Sequence, residues 1–138
     1  MSRRSDQRRA AAFALYQHEL TGRALDDVLD RDASRFTRTL VHAADDYIVE
    51  TDPIIERHSH GWALSRIAPL ERAIMRIALT EMLYPDVVES ESPIPPEGAI
   101  DEAVETAKTF CGAEAPGFVN GVLNAALQDI RQTRANHG

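Results

Sequence analysis

The sequence predicts an all-α domain, a compact bundle of six to seven helices. Two patterns carry that expectation. Apolar residues recur at three- and four-residue spacings along most of the chain, and no alternating apolar/polar run bounded by turn signals competes with them. Length agrees: residues 1–138 suit a single domain, and a chain of this size buries about 70% of its unfolded surface without disulfide or metal staples. No repeat of roughly 20 to 50 residues points to a solenoid.

The first helix is expected from Gln7 to Leu20, where Ala12, Phe13, Tyr16 and Leu20 share one face, with Ser5 as candidate N-cap and Gly22 as the stop. Residues 1–5 form a flexible basic arm ahead of it. Ala24 to Leu29 suit a short helix before a polar break at Arg31 to Ser34. From Phe36, the residues Leu40, Ala44, Tyr47 and Ile48 repeat as a helix. Asp52-Pro53 then reads as the cap and first-turn proline of another, with Ile54, Ile55 and Trp62, so a kink is expected there.

Ile67, Leu70, Ile74, Ile77 and Met82 mark the central core helix, opened by Pro69 and Glu71 and closed by Tyr84-Pro85. Pro85 to Gly98 holds four of the seven prolines, so residues 86–98 are expected to be an acidic, exposed loop. Helical spacing resumes at Ile100, Val104, Ala107 and Cys111 and halts at Gly112. It returns after Pro116-Gly117 with Val119, Val122, Leu123, Ala126 and Ile130, and residues 133–138 are expected to fray.

The net charge of -7 argues against coating nucleic acid through bulk electrostatics. The distribution says more. Asp86, Glu89, Glu91, Glu97, Asp101, Glu102 and Glu105 lie in a stretch without Lys or Arg and by themselves match the whole net charge, while Arg3, Arg4, Arg8 and Arg9 against Asp6 make the start locally basic. The arginine-rich start and the absence of any apolar run near 18 residues argue against a secretory signal or anchor. A single cysteine, Cys111, rules out an intrachain disulfide and suits a reducing compartment, the cytoplasm.

Catalytic and metal chemistry find little support. Cys111, beside Gly112, reads as a small hydrophobe at a helix end, and His58 and His60 form an H-x-H pair whose rings point apart on a helix, with no neighbour to complete a zinc set. Phosphate-loop, dinucleotide and metalloprotease motifs are absent. A binding protein without enzyme activity, metal or cofactor is expected.

Three stretches in order give that protein a family. They are Arg8-Arg9 leading to Ala14-Leu15-Tyr16; Leu70 to Ala78, with Glu81 following; and Glu102 to Glu105 with Ala107-Lys108, then Phe118 to Leu123. Together they resemble the NusB family of transcription antitermination factors over nearly the full length, the F-V-N-G-V-L run after an A-K-x-F helix end being the distinctive part. The resemblance implies two packed helical sub-bundles and a surface for single-stranded boxA-type RNA. It also implies pairing with the ribosomal small-subunit protein NusE, and tethering of nascent RNA, in ribosomal RNA transcription among others, to the elongating polymerase. Some NusB-like proteins self-associate by covering the RNA surface, so a homodimeric helical adaptor without stand-alone RNA binding is the alternative.

Single-stranded RNA is held by arginines on phosphates, by bases stacked on aromatic or guanidinium planes, and by hydrogen bonds to base edges. Arg3, Arg4, Arg8 and Arg9 supply phosphate-facing charge, interrupted by Ser5 and Asp6, and four such contacts give a log-log salt slope of about -3. Phe118 either stacks a base or staples the start of its helix. Asn120 either meets a base edge or caps, and Gly121 lets two helices approach closely. Arg72 and Arg76 either face phosphates, with Glu71 accepting from a base, or form an ion-pair ladder. Tyr16 is core with its hydroxyl toward the RNA side, and Lys108 is a further cation near its helix end.

Overall fold

The computed structural model describes residues 3–89 and 92–137. Among them the chain forms seven α-helices, one 3₁₀ turn and no strand: α1 (Arg4–Thr21), α2 (Leu25–Val28), α3 (Arg35–Asp46), α4 (Ile48–Arg57), the turn Leu64–Arg66, α5 (Pro69–Leu83), α6 (Pro96–Phe110) and α7 (Ala115–His137). The core helix α5 is buried at every position from Ala73 to Met82. It packs against α1, α3, α4, α6 and α7; α1 packs on α3, and α7 on α6 and α4, so two helical groups share it. Leu15, Leu40, Ile55, Met75, Leu79 and Leu123, all fully buried, join those groups into one core.

Helix ends differ from the sequence expectation wherever a distant side chain intervenes. Ser5 does not cap α1. It lies inside the helix, and its hydroxyl donates to Glu102 on α6 at 2.7 Å. α1 starts at Arg4, so Arg4 and Ser5 of the expected arm are helical; Met1 and Ser2 lie outside the described residues. At the other end Gly22 adopts φ 72° and its N–H bonds the His18 carbonyl, a left-handed cap suited to glycine. The cap of α3 is Ser34, whose hydroxyl oxygen accepts from the Thr37 N–H at 3.0 Å. Buried Thr37 donates in turn to the Gln7 carbonyl at 2.9 Å and ties α3 to α1.

The break between α3 and α4 falls at Tyr47, and Pro53 lies within α4. Asp52 is not available as a cap because Arg76 holds its carboxylate. The N–H that Pro53 lacks would have bonded the carbonyl of Val49, a residue 81% exposed on the solvent side. Tyr47 instead turns the chain and stacks on Tyr84, ring centroids 4.0 Å apart.

After α5 the acidic loop is shorter than expected. Val88 is buried and pins it, Pro96 opens α6 in its first turn, and Ser90 and Glu91 lie outside the described residues. The expected frayed tail is helical to His137, with Gly138 outside the described residues. Arg134 reaches the Met82 and Leu83 carbonyls at the end of α5 (3.4 and 3.2 Å), which anchors the last turns of α7. Gly121 does not serve a close helix contact: a Cβ built there meets nothing within 4 Å.

Arg76 is the polar centre of this arrangement. Only 4% exposed, it grips Asp52 of α4 bidentately (2.7 and 2.8 Å) and also bonds Glu19 of α1. Arg72, one turn earlier, joins the same Glu19 and donates to the Leu64 and Ile67 carbonyls at 3.0 Å. Partial burial pushes the Glu19 carboxyl up, but hydrogen bonds from Arg76 and Arg72 outweigh it and hold it below the ordinary glutamate range.

Removing Arg76 with Arg76→Ala leaves Asp52 without its partner in a largely buried position and is expected to lower the unfolding free energy by roughly 3–5 kcal/mol in urea titration. A group with a depressed folded pKa stabilises fully above its unfolded value and loses that contribution as pH falls through the folded one. The melting-temperature gap between the natural protein and Glu19→Gln is therefore expected to be widest at neutral pH and to close in acid below the ordinary glutamate range; a gap constant into strong acid would contradict the pairing. Gly121→Ala, placed on an open helix face, is expected to raise stability by about 0.5–1 kcal/mol by the same titration.

Candidate nucleic-acid interface

The arginines of α1 do not act alike, because the helix distributes them over different neighbours. Arg3, just ahead of the helix, is exposed. Arg4 bonds Gln7 and lies 4.6 Å over the Phe36 ring. Arg8 sits 5.1 Å over the same ring and grips Glu81 of α5 bidentately at 2.7 and 3.0 Å, both side chains largely buried. Its donors are thus committed to the fold.

Arg9 turns the other way. Its guanidinium lies 5.8 Å from the Phe110 ring centroid, with only a 4.0 Å approach to Asp6, and its Nε is buried without a partner among the described residues. Phe110, the last residue of α6 and 46% exposed, meets Phe13 of α1 edge to face at 4.9 Å. Lys108, two residues before that helix end, is exposed and makes no ion pair among the described residues. Together, α1 and the end of α6 present a guanidinium and an aromatic ring on one surface, with the Lys108 ammonium exposed on the same helix.

Cys111 connects this surface to the next. Half-buried, its thiol is pushed up first by burial and then by the charge of nearby Glu71. Glu71 opens α5 and is itself partly buried, which raises its carboxyl above the ordinary range. Glu71 lines one wall of an open cleft of about 500 Å³ with Phe118, Trp62, Arg66, Glu114 and Ala115. Phe118 reaches it because α7 begins at Ala115, with Pro116 in the first turn, so the ring follows one turn in and is half-buried against the core.

Other predicted site residues lie apart from this face or turn inward. Arg72 and Arg76 belong to the ion-pair hub around Glu19, the second of their two sequence readings. Asn120 is exposed but sits inside α7, so it cannot cap; its Oδ1 accepts from Asn124 Nδ2 at 2.9 Å. Tyr16 packs against the core, half-buried, and its hydroxyl makes no hydrogen bond among the described residues. Sequence reasoning missed Phe13, Phe110, Trp62 and Arg66. Phe110 was visible in the A-K-x-F helix end, and Trp62 as an aromatic beyond the last apolar repeat of its segment.

Comparison with known proteins places the fold and face in context. The model of the NusB family matches residues 5–128. The chain is 36% identical to the transcription antitermination protein NusB of Rubrobacter xylanophilus (94% of this chain and 93% of that protein covered) and 37% identical to that of Myxococcus xanthus (90% and 94%). Its fold is similar to T. maritima NusB, with a TM-score of 0.77 at 29% identity over 92% of each chain. It is also similar to a chain in the crystal structure of the antitermination factors NusB and NusE in complex with double-stranded RNA, with a TM-score of 0.75 at 26% identity over 91% of this chain and 96% of that one.

Since Glu81 is buried and held by Arg8, Arg8→Ala is expected to cost about 3 kcal/mol of stability in chemical denaturation. Arg3→Ala, on an exposed residue, is expected to change stability by less than about 0.5 kcal/mol.

Proposed function

The chain belongs to the NusB family of transcription antitermination proteins, and from that premise we propose that it binds boxA-type single-stranded RNA jointly with the ribosomal protein NusE. In this role it tethers nascent RNA to the elongating polymerase and makes or breaks no bond. The observation that carries the reading is the grouping of Arg9 over the Phe110 ring with, beyond the adjoining Cys111, Glu71 and Phe118, which offers positive charge, stacking planes and an acceptor on a protein of net charge -7. Bulk electrostatics would repel RNA; a local face of this composition selects it. The relative solved with NusE and double-stranded RNA supports both partners.

Single-stranded RNA suits the face better than a duplex, because exposed rings stack only on bases that are free to unstack. Binding by two weak contacts at once, RNA on this face and NusE on another, gains affinity through effective concentration rather than through new contacts. The protein acts as an adaptor, in the cytoplasm where transcription takes place.

With Arg8 withdrawn into the fold and Arg4 engaged by Gln7 and the Phe36 ring, the cations left for phosphates are Arg3, Arg9 and Lys108, joined by Arg66 if the cleft also takes a nucleotide. Three to four contacts at about 0.7 each give a log-log salt slope of about -2 to -3. Titrating a labelled boxA-type RNA by fluorescence anisotropy, with and without NusE, tests both points. Phe118→Ala is expected to weaken binding about tenfold, equivalent to a lost stack of about 1.4 kcal/mol. No binding at low salt in either arm overturns the RNA reading, and a doubled solution mass in that case would favour the homodimeric adaptor.

A further inference from the structure

Trp62 is the chain's only tryptophan and stands 55% exposed at the mouth of the cleft that Phe118 and Glu71 line. Its exposure is built in rather than incidental. The turn that carries it places two successive residues in the left-handed region, His60 at φ 55° and Gly61 at φ 83°. That conformation is uncommon outside glycine, though histidine is among the residues that adopt it, and here the surroundings hold it. They do so through Ser59, which is fully buried with its hydroxyl within hydrogen-bond distance of the Glu56 and Trp62 carbonyls (2.9 and 2.8 Å). The Trp62 N–H donates back to the Ser59 carbonyl at 3.2 Å, and the Leu64 N–H bonds the Glu56 carboxylate at 3.1 Å. Backbone on both sides of the indole is therefore fixed while the ring is left to solvent.

Arg66 follows one turn later, on the same cleft. It is exposed, and its guanidinium makes no hydrogen bond or ion pair among the described residues. The cleft is thus lined by two aromatic rings, by a cation without a partner among the described residues, by the partly buried Glu71 carboxyl and by the exposed Glu114.

We propose that Trp62 and Phe118 form the two walls of a subsite that takes one unpaired RNA base, with Glu71 accepting from the base's amino group and Arg66 meeting the adjoining phosphate. This rests on the RNA reading above and extends it, because the cleft shares Phe118 and Glu71 with that face and continues it toward the α4–α5 turn. A nucleotide matches the two rings, the Glu71 acceptor and the Arg66 cation together: it has two π-faces, an exocyclic donor and a negative charge beside the ring. An apolar side chain from a protein partner would leave the Glu71 carboxyl to be desolvated without a bond.

The lone tryptophan makes the test direct. A labelled boxA-type RNA of about 12 nucleotides is titrated into the full chain, with and without NusE, reading RNA anisotropy and tryptophan emission together, and an abasic nucleotide is walked along the RNA. We expect emission to fall on RNA binding and Trp62→Ala to weaken binding about tenfold with an unchanged salt slope, while Trp62→Phe stays within about threefold of the natural protein. One abasic position should cost about tenfold in the natural protein and little in Trp62→Ala, the signature of a coupled pair. RNA binding with unchanged emission and no effect of Trp62→Ala overturns the subsite and leaves the proposed function standing. No RNA binding in any arm overturns both. An emission change produced by NusE without RNA would assign the cleft to the protein partner and overturn the subsite.

Discussion

A guanidinium at 4% exposure needs anions around it, and most of this architecture follows from how Arg76 obtains them. Asp52 comes from α4 and Glu19 from α1, so one side chain of α5 fixes the positions of the helices on either side of it. Apolar packing alone tolerates sliding between helices; a bidentate ion pair in a dry setting does not. Two helical groups that share α5 are thereby held in one register, and the break at Tyr47 lets α4 turn so that Asp52 can reach the hub.

The same constraint passes to the candidate interface. Arg72, bonded to Glu19 beside Arg76, also donates to the Leu64 and Ile67 carbonyls, which fixes the 3₁₀ turn ahead of α5. That turn leads back to Trp62 and forward to Glu71, so the walls of the cleft inherit their placement from a charge network they do not touch. Arg8 plays a parallel role at the other end, linking α1 to Glu81 of α5 and leaving Arg9 to face outward. Charged residues that look equivalent along α1 are divided by their neighbours into those that hold the fold and those that remain on the surface.

The acidic net charge finds its place in the same picture. Acids of α6 such as Glu102 and Glu97 are engaged by Ser5 and Arg131, and Glu19, Asp52 and Glu81 serve buried or half-buried arginines. Among the described residues Arg3, Arg31, Arg35, Arg66 and Lys108 are exposed and make no side-chain hydrogen bond or ion pair. A face for RNA coexists with a charge of -7 because Glu19, Asp52 and Glu81 are neutralised by arginines within the fold, while cations such as Arg3, Arg66 and Lys108 stay at the surface.

By itself, the sequence determined the helical class, the identity of α5 as the core helix, the family, and the residue types at Arg9, Lys108, Glu71 and Phe118. Periodicity and motif order are local properties of a chain, and local properties survive without coordinates. Only the tertiary structure decided the rest: that Ser5 bonds Glu102 instead of capping, that Pro53 sits inside α4 because Asp52 serves Arg76, and that Arg134 holds the last turns of α7 in place. It alone showed that Arg72 and Arg76 point inward, that Gly121 faces open space, and that Phe110 and Trp62 stand exposed. The physical reason is common to all of them. Each depends on a partner or a vacancy far away in the chain, and the spacing of residues in a helix specifies which face a side chain occupies but not what that face meets.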